Sequence, residues 1–197
     1  MFKHFSERAI GILKIAQYES EQFGRQKIGS EHLLLGMITD IEGSAGQLLH
    51  AVDVTKAGVC GAIVDLNETS NYEGHLMFTP NAKRALDAAL RQAIEVKSQV
   101  GDVIDVRSEH VLLGVLLQEN CSAQRVLQRL QVDMDMLMGL VLWSTSGVDA
   151  KMAMLVRSGQ VGEATKMIRR HIRVAEAVAK RARLMQDQLI SLAAGVM

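Results

Sequence analysis

One seven-residue stretch of this chain occurs twice, and its recurrence limits the fold more than any other feature. Ser30-Glu31-His32-Leu33-Leu34-Leu35-Gly36 returns as Ser108-Glu109-His110-Val111-Leu112-Leu113-Gly114, 78 residues later. The register then holds: Ser44-Ala45 meets Ser122-Ala123, Leu49 meets Leu127, Val54 meets Val132 and Gly61 meets Gly139. Upstream, Phe5-Ser6 with Ala9, Leu13 and Ala16 meets Phe78-Thr79 with Ala82, Leu86 and Ala89, at an offset of 73. A repeat of this length reads as one helical unit duplicated and packed on its copy. Two such units make a pseudo-twofold body with related grooves on related faces.

Composition supports helices. Hydrophobic residues make up 48% of the chain, aromatics only 4%, and there is one proline. That mixture suits packed helices far better than sheets. Ser6 caps a helix running to about Phe23, which Gly24 ends, and Ser30 caps the next. Ala45 to Val52 forms a short helix, and Thr55 caps a fourth that reaches about Leu66. Thr79-Pro80 opens the second unit, with threonine at the cap and proline at the first helical position. Its four helices run to about Lys97, from Ser108, from Ser122, and from Asp133 to about Trp143. About five extra residues fall within Ser98–Val106, the difference between the two offsets. The resulting division is a first repeat over 1–66, a linker over 67–77, a second repeat over 78–143 and an extension over 148–197. Within the extension, Val161 to about Leu192 reads as one long helix.

Charge divides along the same boundary. Residues 1–148 carry 13 Lys/Arg against 18 Asp/Glu, and residues 149–197 carry 9 against 4, so balances of −5 and +5 cancel to zero. The two cysteines, Cys60 and Cys121, lie in apolar surroundings without C-x-x-C spacing, and read as buried thiols. Cys121 stands where the first repeat has Gly43, an inter-helix corner, and is expected to be partly exposed. No apolar run approaches membrane-spanning length, and the N-terminus lacks a signal-peptide apolar region. The expectation is a cytoplasmic protein with no membrane partner.

The paired stretches, in order and with their surroundings, resemble the double Clp repeat, the N-terminal domain of Clp-type AAA+ unfoldases. The resemblance is carried by Phe2 with Phe5-Ser6-Glu7-Arg8-Ala9, Ile28-Gly29 before the first Ser-Glu-His, Glu42-Gly43-Ser44-Ala45, Phe78-Thr79-Pro80 with Ala82-Lys83, and the second Ser-Glu-His. It covers about residues 1–143 and implies an all-α fold of two four-helix repeats related by a pseudo-twofold, followed here by the helical extension. It implies binding of adaptors and substrates with no catalytic residue, metal or cofactor. The chain departs from the pattern at Arg107, where glycine is expected before Ser108, and in its five-residue insertion. It also contains no G-x-x-x-x-G-K-[ST] phosphate loop.

In some members of that family the matching acidic and hydroxyl positions bind phosphoarginine. Carried over by motif, a first site uses Ser6 and Glu31 and a second, weaker one uses Thr79 and Glu109. The structural alternative for both glutamates is a carboxylate favoured by the helix dipole. His32 and His110 have no cluster of further ligands beside them and read as structural groups holding a helix start. Phe2, Phe78 and Lys83 fall where the family's peptide-binding face carries aromatic residues, although Phe2 and Phe78 also suit hydrophobic staples. The basic extension reads first as a solvated face on a helix whose Ala/Ile/Val stripe packs on the body or on a partner helix, and more sharply as a self-association helix or a contact to an acidic Clp subunit. It lacks the interleaved aromatics and motifs of a nucleic-acid binder.

The resulting expectation is a non-enzymatic adaptor or substrate-recognition accessory of a Clp unfoldase–protease system. Its protein partners would be a Clp ATPase or protease subunit, or a Clp substrate. Two alternatives stay open: an N-terminal piece of a larger Clp ATPase, which the terminus-like ending Ala193-Ala194-Gly195-Val196-Met197 disfavours, and a regulator touching nucleic acid through its basic helix.

Overall fold

The computed structural model describes residues 2–66, 77–100 and 104–145. Most of the 67–77 linker, part of the insertion and the 148–197 extension lie outside the described residues. Within them are eight α-helices and no strands: α1 (Glu7–Gln22), α2 (Ser30–Thr39), α3 (Ser44–His50), α4 (Lys56–Leu66), α5 (Pro80–Val100), α6 (Ser108–Leu116), α7 (Ser122–Arg129) and α8 (Met134–Thr145). The fold is all-α, and α1–α4 recur as α5–α8.

The duplication extends to local geometry. Ser6 Oγ accepts from the Ala9 amide at 3.1 Å to cap α1, and Thr79 Oγ1 accepts from Ala82 at 3.3 Å to cap α5. Thr55 and Asp133 cap α4 and α8 in the same way, at 3.1 and 2.9 Å. Asp53 and Gln131, 78 residues apart, both take a left-handed backbone, with φ of 59° and 56°. Each such turn is closed by a return bond, Val54 N–H to Leu49 at 3.1 Å and Val132 N–H to Leu127 at 3.0 Å, the Schellman arrangement. Gly24, with φ of 65°, ends α1 by the same device: Arg25 N–H reaches the Ser20 carbonyl at 2.8 Å.

The two signature helices form the centre. Every residue of α6 is buried, and so are Ser30 and His32–Ile38 of α2. A helix apolar on all sides has to be surrounded, and the remaining helices surround this pair. Gly36 and Gly114 make the tight crossings possible. A Cβ at Gly36 would press on the Ile12 carbonyl of α1, and one at Gly114 on the Ala85 carbonyl of α5. Cys121 is fully buried rather than partly exposed, its thiol 3.8 Å from the Val115 carbonyl oxygen.

The expectation that Ser30 caps its own helix needs correction. Gly29 holds the cap position of α2, and Ser30 is already helical. Its hydroxyl is spent on the other repeat: Ser30 Oγ accepts from the Ala123 amide of α7 at 3.1 Å. Reciprocally, Ser108 Oγ accepts from the Ala45 amide of α3 at 3.2 Å. Neither α3 nor α7 receives a side-chain bond from its own cap residue, Gly43 or Cys121. Each repeat therefore satisfies an orphan donor of its twin. Ser30→Ala is expected to cost about 1 kcal/mol, the usual worth of a cap. The diagnostic is amide exchange, which should accelerate at Ala123 in the second repeat rather than within α2; unchanged protection there would refute the crossed cap.

Candidate functional site

The two Ser-Glu-His helix starts lie against the first turns of the opposite repeat. Ser6 N–H donates to the Val106 carbonyl at 3.1 Å, and Val106 N–H to the His4 carbonyl at 2.7 Å. The twin contact pairs Thr79 N–H with Ile28 at 2.9 Å and Ile28 N–H with Met77 at 2.9 Å. Each is an isolated parallel bridge, Phe5 with Val106 and Ile28 with Phe78. Ser6 therefore neighbours the segment leading to Glu109, and Thr79 the segment leading to Glu31. The backbone contacts thus pair each hydroxyl-bearing turn with the helix start of the other repeat, not with the one grouped with it by chain order. The hydroxyls of Ser6 and Thr79 are each engaged as helix caps.

The histidines hold the helix starts. His32 Nδ1 accepts the Gly29 N–H at 2.9 Å, and His110 Nδ1 accepts the Arg107 N–H at 3.2 Å. With Nδ1 accepting, the hydrogen-bond pattern assigns the ring proton to Nε2. Both Nε2 atoms are buried without a hydrogen-bond partner. Burial, with a smaller push from Arg25, lowers the His32 pKa to about 4. Burial also lowers that of His110 to about 4, with Arg107 adding to the effect and Asp105 opposing it. Both rings are neutral at pH 7. The Glu31 carboxylate lies 3.6 Å from His32 Nδ1, but with the ring neutral this contact is no ion pair.

The glutamates differ, and the residue two positions earlier explains why. The Glu31 carboxylate lies over Gly29, in space a Cβ at that position would take. Its side chain keeps 18% of its exposure. In the second repeat Arg107 carries a Cβ and the same pose is closed. Glu109 is buried instead, with Arg107 Nε at 3.0 Å from one carboxylate oxygen and the Ser108 hydroxyl at 3.3 Å from the other. Sequence reading marked Arg107 as a departure from the pattern; it did not anticipate the ion pair, which needs the side-chain direction at the helix start. Glu31 also lines a small cleft with Arg25, Ile63 and Leu66 of the first repeat and Ser122 and Val126 of the second.

Phe2, Phe5 and Phe78 gather where the repeats meet. Phe2 packs edge-on to Phe5 with centroids 5.2 Å apart, and lies 6.0 Å from Phe78. Phe2 and Phe78 are half-buried against the core, and Lys83 is exposed one turn into α5. The aromatic pair thus joins the two units as well as flanking a surface. A separate wide concavity of about 600 Å3, lined by Glu7, Arg8, Ile12, Ile15, Asp40 and Glu42 among others, contains none of the expected site residues. Arg8 bridges it to Asp40 at 2.7 Å.

The chain is similar in sequence and fold to known proteins. The family model described as the Clp repeat (R) N-terminal domain matches residues 4–100 and again 77–194. The second match runs past the 143 boundary drawn from the internal repeat. The ATP-dependent Clp protease ATP-binding subunit ClpA homolog of Porphyra purpurea is 30% identical over 135 residues, which is 68% of this chain and 16% of that protein. The negative regulator of genetic competence ClpC/MecB of Bacillus subtilis is 31% identical over 137 residues, with the same coverages of 68% and 16%. This chain thus spans about a sixth of the length of these curated relatives. Among solved structures, the N-terminal domain of the caseinolytic protease associated chaperone ClpD from Arabidopsis thaliana superposes with a TM-score of 0.63 at 27% identity, over 75% of this chain and 97% of that one. The Hsp104 N-terminal domain of Candida albicans shares the fold at 15% identity, TM-score 0.55, over 71% and 90% of the two chains.

Proposed function

This chain belongs to the Clp repeat N-terminal domain family, and we propose that it works as a non-enzymatic protein-binding module, an adaptor or substrate-recognition accessory of a Clp unfoldase–protease system. The observation that carries the reading is Glu31. Its carboxylate is held over a glycine at a helix start, partly open to solvent, beside a cleft whose walls come from both repeats. A carboxylate so placed can pair with a cationic side chain of a docked polypeptide. Thr79, whose backbone joins the Ile28 segment, supplies the neighbouring turn, and Phe2, Phe78 and Lys83 the apolar and basic margin. Ser6 and Glu109 form the related second start.

The test is recovery of partners from the native host on the tagged chain. Clp ATPase or protease subunits, or Clp substrates, are expected in the wild-type eluate and should be depleted with Glu31→Ala. If neither class is enriched over a mock column, the reading fails.

A second reading is a segment of a longer Clp ATPase, favoured by the sixth of their length that this chain spans in its curated relatives. In that case the same docking face would serve the ATPase in cis. Sequencing the reading frame beyond Met197 separates the two.

A further inference from the structure

We propose that the wide concavity between α1 and the α2–α3 corner is a docking surface of its own, and that it takes a lysine-bearing, aliphatic segment of a partner polypeptide. The inference goes beyond the docking reading at Glu31, because no residue of either helix start lines this concavity.

The concavity, of about 600 Å3, has two walls. One is a face of α1 on which Arg8, Gly11, Ile12 and Ile15 recur at helical spacing. The other is the end of α2 and the corner after it, from Thr39 to Glu42. Ile41 is 65% exposed there, a large aliphatic side chain left in water beside a hollow. Such a lining gains from contact with the apolar part of a partner. Its charge is acidic, with Glu7, Asp40 and Glu42 against Arg8. Arg8 lies 2.7 Å from Asp40 and 3.6 Å from Glu42, whose side chain keeps 83% of its exposure. The last carbonyls of α2 add partial negative charge. Thr39 Oγ1 and Asp40 Oδ2 are buried without a hydrogen-bond partner among the described residues, so polar capacity in this wall is unmet. Lysine suits both features. Its aliphatic stem can lie along Ile15 and Ile41 while its compact ammonium, with three donors, meets the carboxylates.

The duplication supplies an internal comparison. A Cβ at Gly11 would meet nothing within 4 Å, so this part of α1 is open. The matching position of α5 is Arg84, an exposed cation hydrogen-bonded to Asn81. Gln118 and Asn120 stand where the first repeat has Asp40 and Glu42, and Asn81 where it has Arg8. The second repeat thus carries amides in place of the acids and a cation in place of the glycine. The open acidic groove belongs to the first repeat and not to its twin, and Arg84 marks the substitution that turns a basic partner away.

Fluorescence anisotropy of the full chain with the labelled peptide Gly-Lys-Leu-Lys-Leu-Lys-Gly tests the proposal. Wild type should bind it, and binding should weaken as salt is raised. Gly-Glu-Leu-Glu-Leu-Glu-Gly should not bind, and Gly-Lys-Ser-Lys-Ser-Lys-Gly should bind more weakly for want of aliphatic contact. Gly11→Arg and Glu42→Lys should each weaken binding by about tenfold or more, because like charges facing each other across an interface are strongly disfavoured. Both positions are open enough for the fold to accept the change, and unchanged urea midpoints verify this. Glu31→Ala should bind the peptide as the wild type does. Full affinity in both Gly11→Arg and Glu42→Lys, or equal binding of the acidic peptide, overturns the proposal. Loss of binding in Glu31→Ala with Gly11→Arg unaffected also overturns it, while supporting the docking reading at Glu31. No binding by the wild type overturns the concavity as a docking surface and leaves the reading at Glu31 to its own test.

Discussion

Acidification from pH 6.5 towards pH 4 is expected to destabilise the duplicated body by about 3 kcal/mol for each of His32 and His110, since every unit of pKa difference is worth about 1.4 kcal/mol. Both rings have a folded pKa of about 4 against an ordinary value of 6.5. Between those values the unfolded chain binds protons that the folded one refuses, so stability rises with pH across the window. The contribution is complete above about pH 6.5 and is lost progressively as pH falls to the folded pKa. The cause is structural. Each Nδ1 accepts a backbone N–H, so protonation there breaks a helix-start bond, and burial leaves the resulting charge without water. Two such losses rival the whole stability of a small domain, about 5–15 kcal/mol. Urea unfolding at several pH values between 7 and 4.5 reads the slope. His32→Gln with His110→Gln keeps a neutral acceptor at the third helical position, as in an ordinary capping box. The double variant should show a much flatter profile over that window, and equal slopes for the two proteins would refute the assignment.

The second large effect is expected at Gly114. Helix propensity alone favours Gly114→Ala by about 1 kcal/mol. Packing reverses the sign. The new Cβ would meet the Ala85 carbonyl oxygen and come within 3.0 Å of the Ala89 nitrogen, all backbone atoms of α5 that cannot rotate aside. Overpacking of this kind costs about 1–3 kcal/mol or more. Gly36→Ala should behave alike against the Ile12 carbonyl. Gly61 and Gly139, the repeat-related glycines of α4 and α8, supply the control because a Cβ at either meets nothing within 4 Å. Alanine at those two should be neutral or stabilising. Denaturant midpoints for the four variants test this directly; a stabilised Gly114→Ala would show that α5 and α6 are free to move apart.

The residues most readable from the chain were those whose role is local. Ser6, Thr79 and Thr55 cap the helices that follow them, and Gly24 ends α1, because each bond spans only a few residues. The two histidines also carried the helix-start role their spacing suggested. The serines of the signature did not, since the amides they serve lie 93 and 63 residues away in the other repeat. The grouping of Ser6 with the Glu109 segment and of Thr79 with the Ile28–Glu31 segment was hidden for the same reason.

The order of helices, the duplication and the all-α architecture follow from spacing and composition alone, because capping, periodicity and a repeated register are properties of consecutive residues. Tertiary packing alone decided how the copies interlock and which glutamate is fully buried. Those outcomes depend on where side chains distant in the chain meet, and on whether a single Cβ, absent at Gly29 and present at Arg107, leaves a carboxylate room to lie against the backbone.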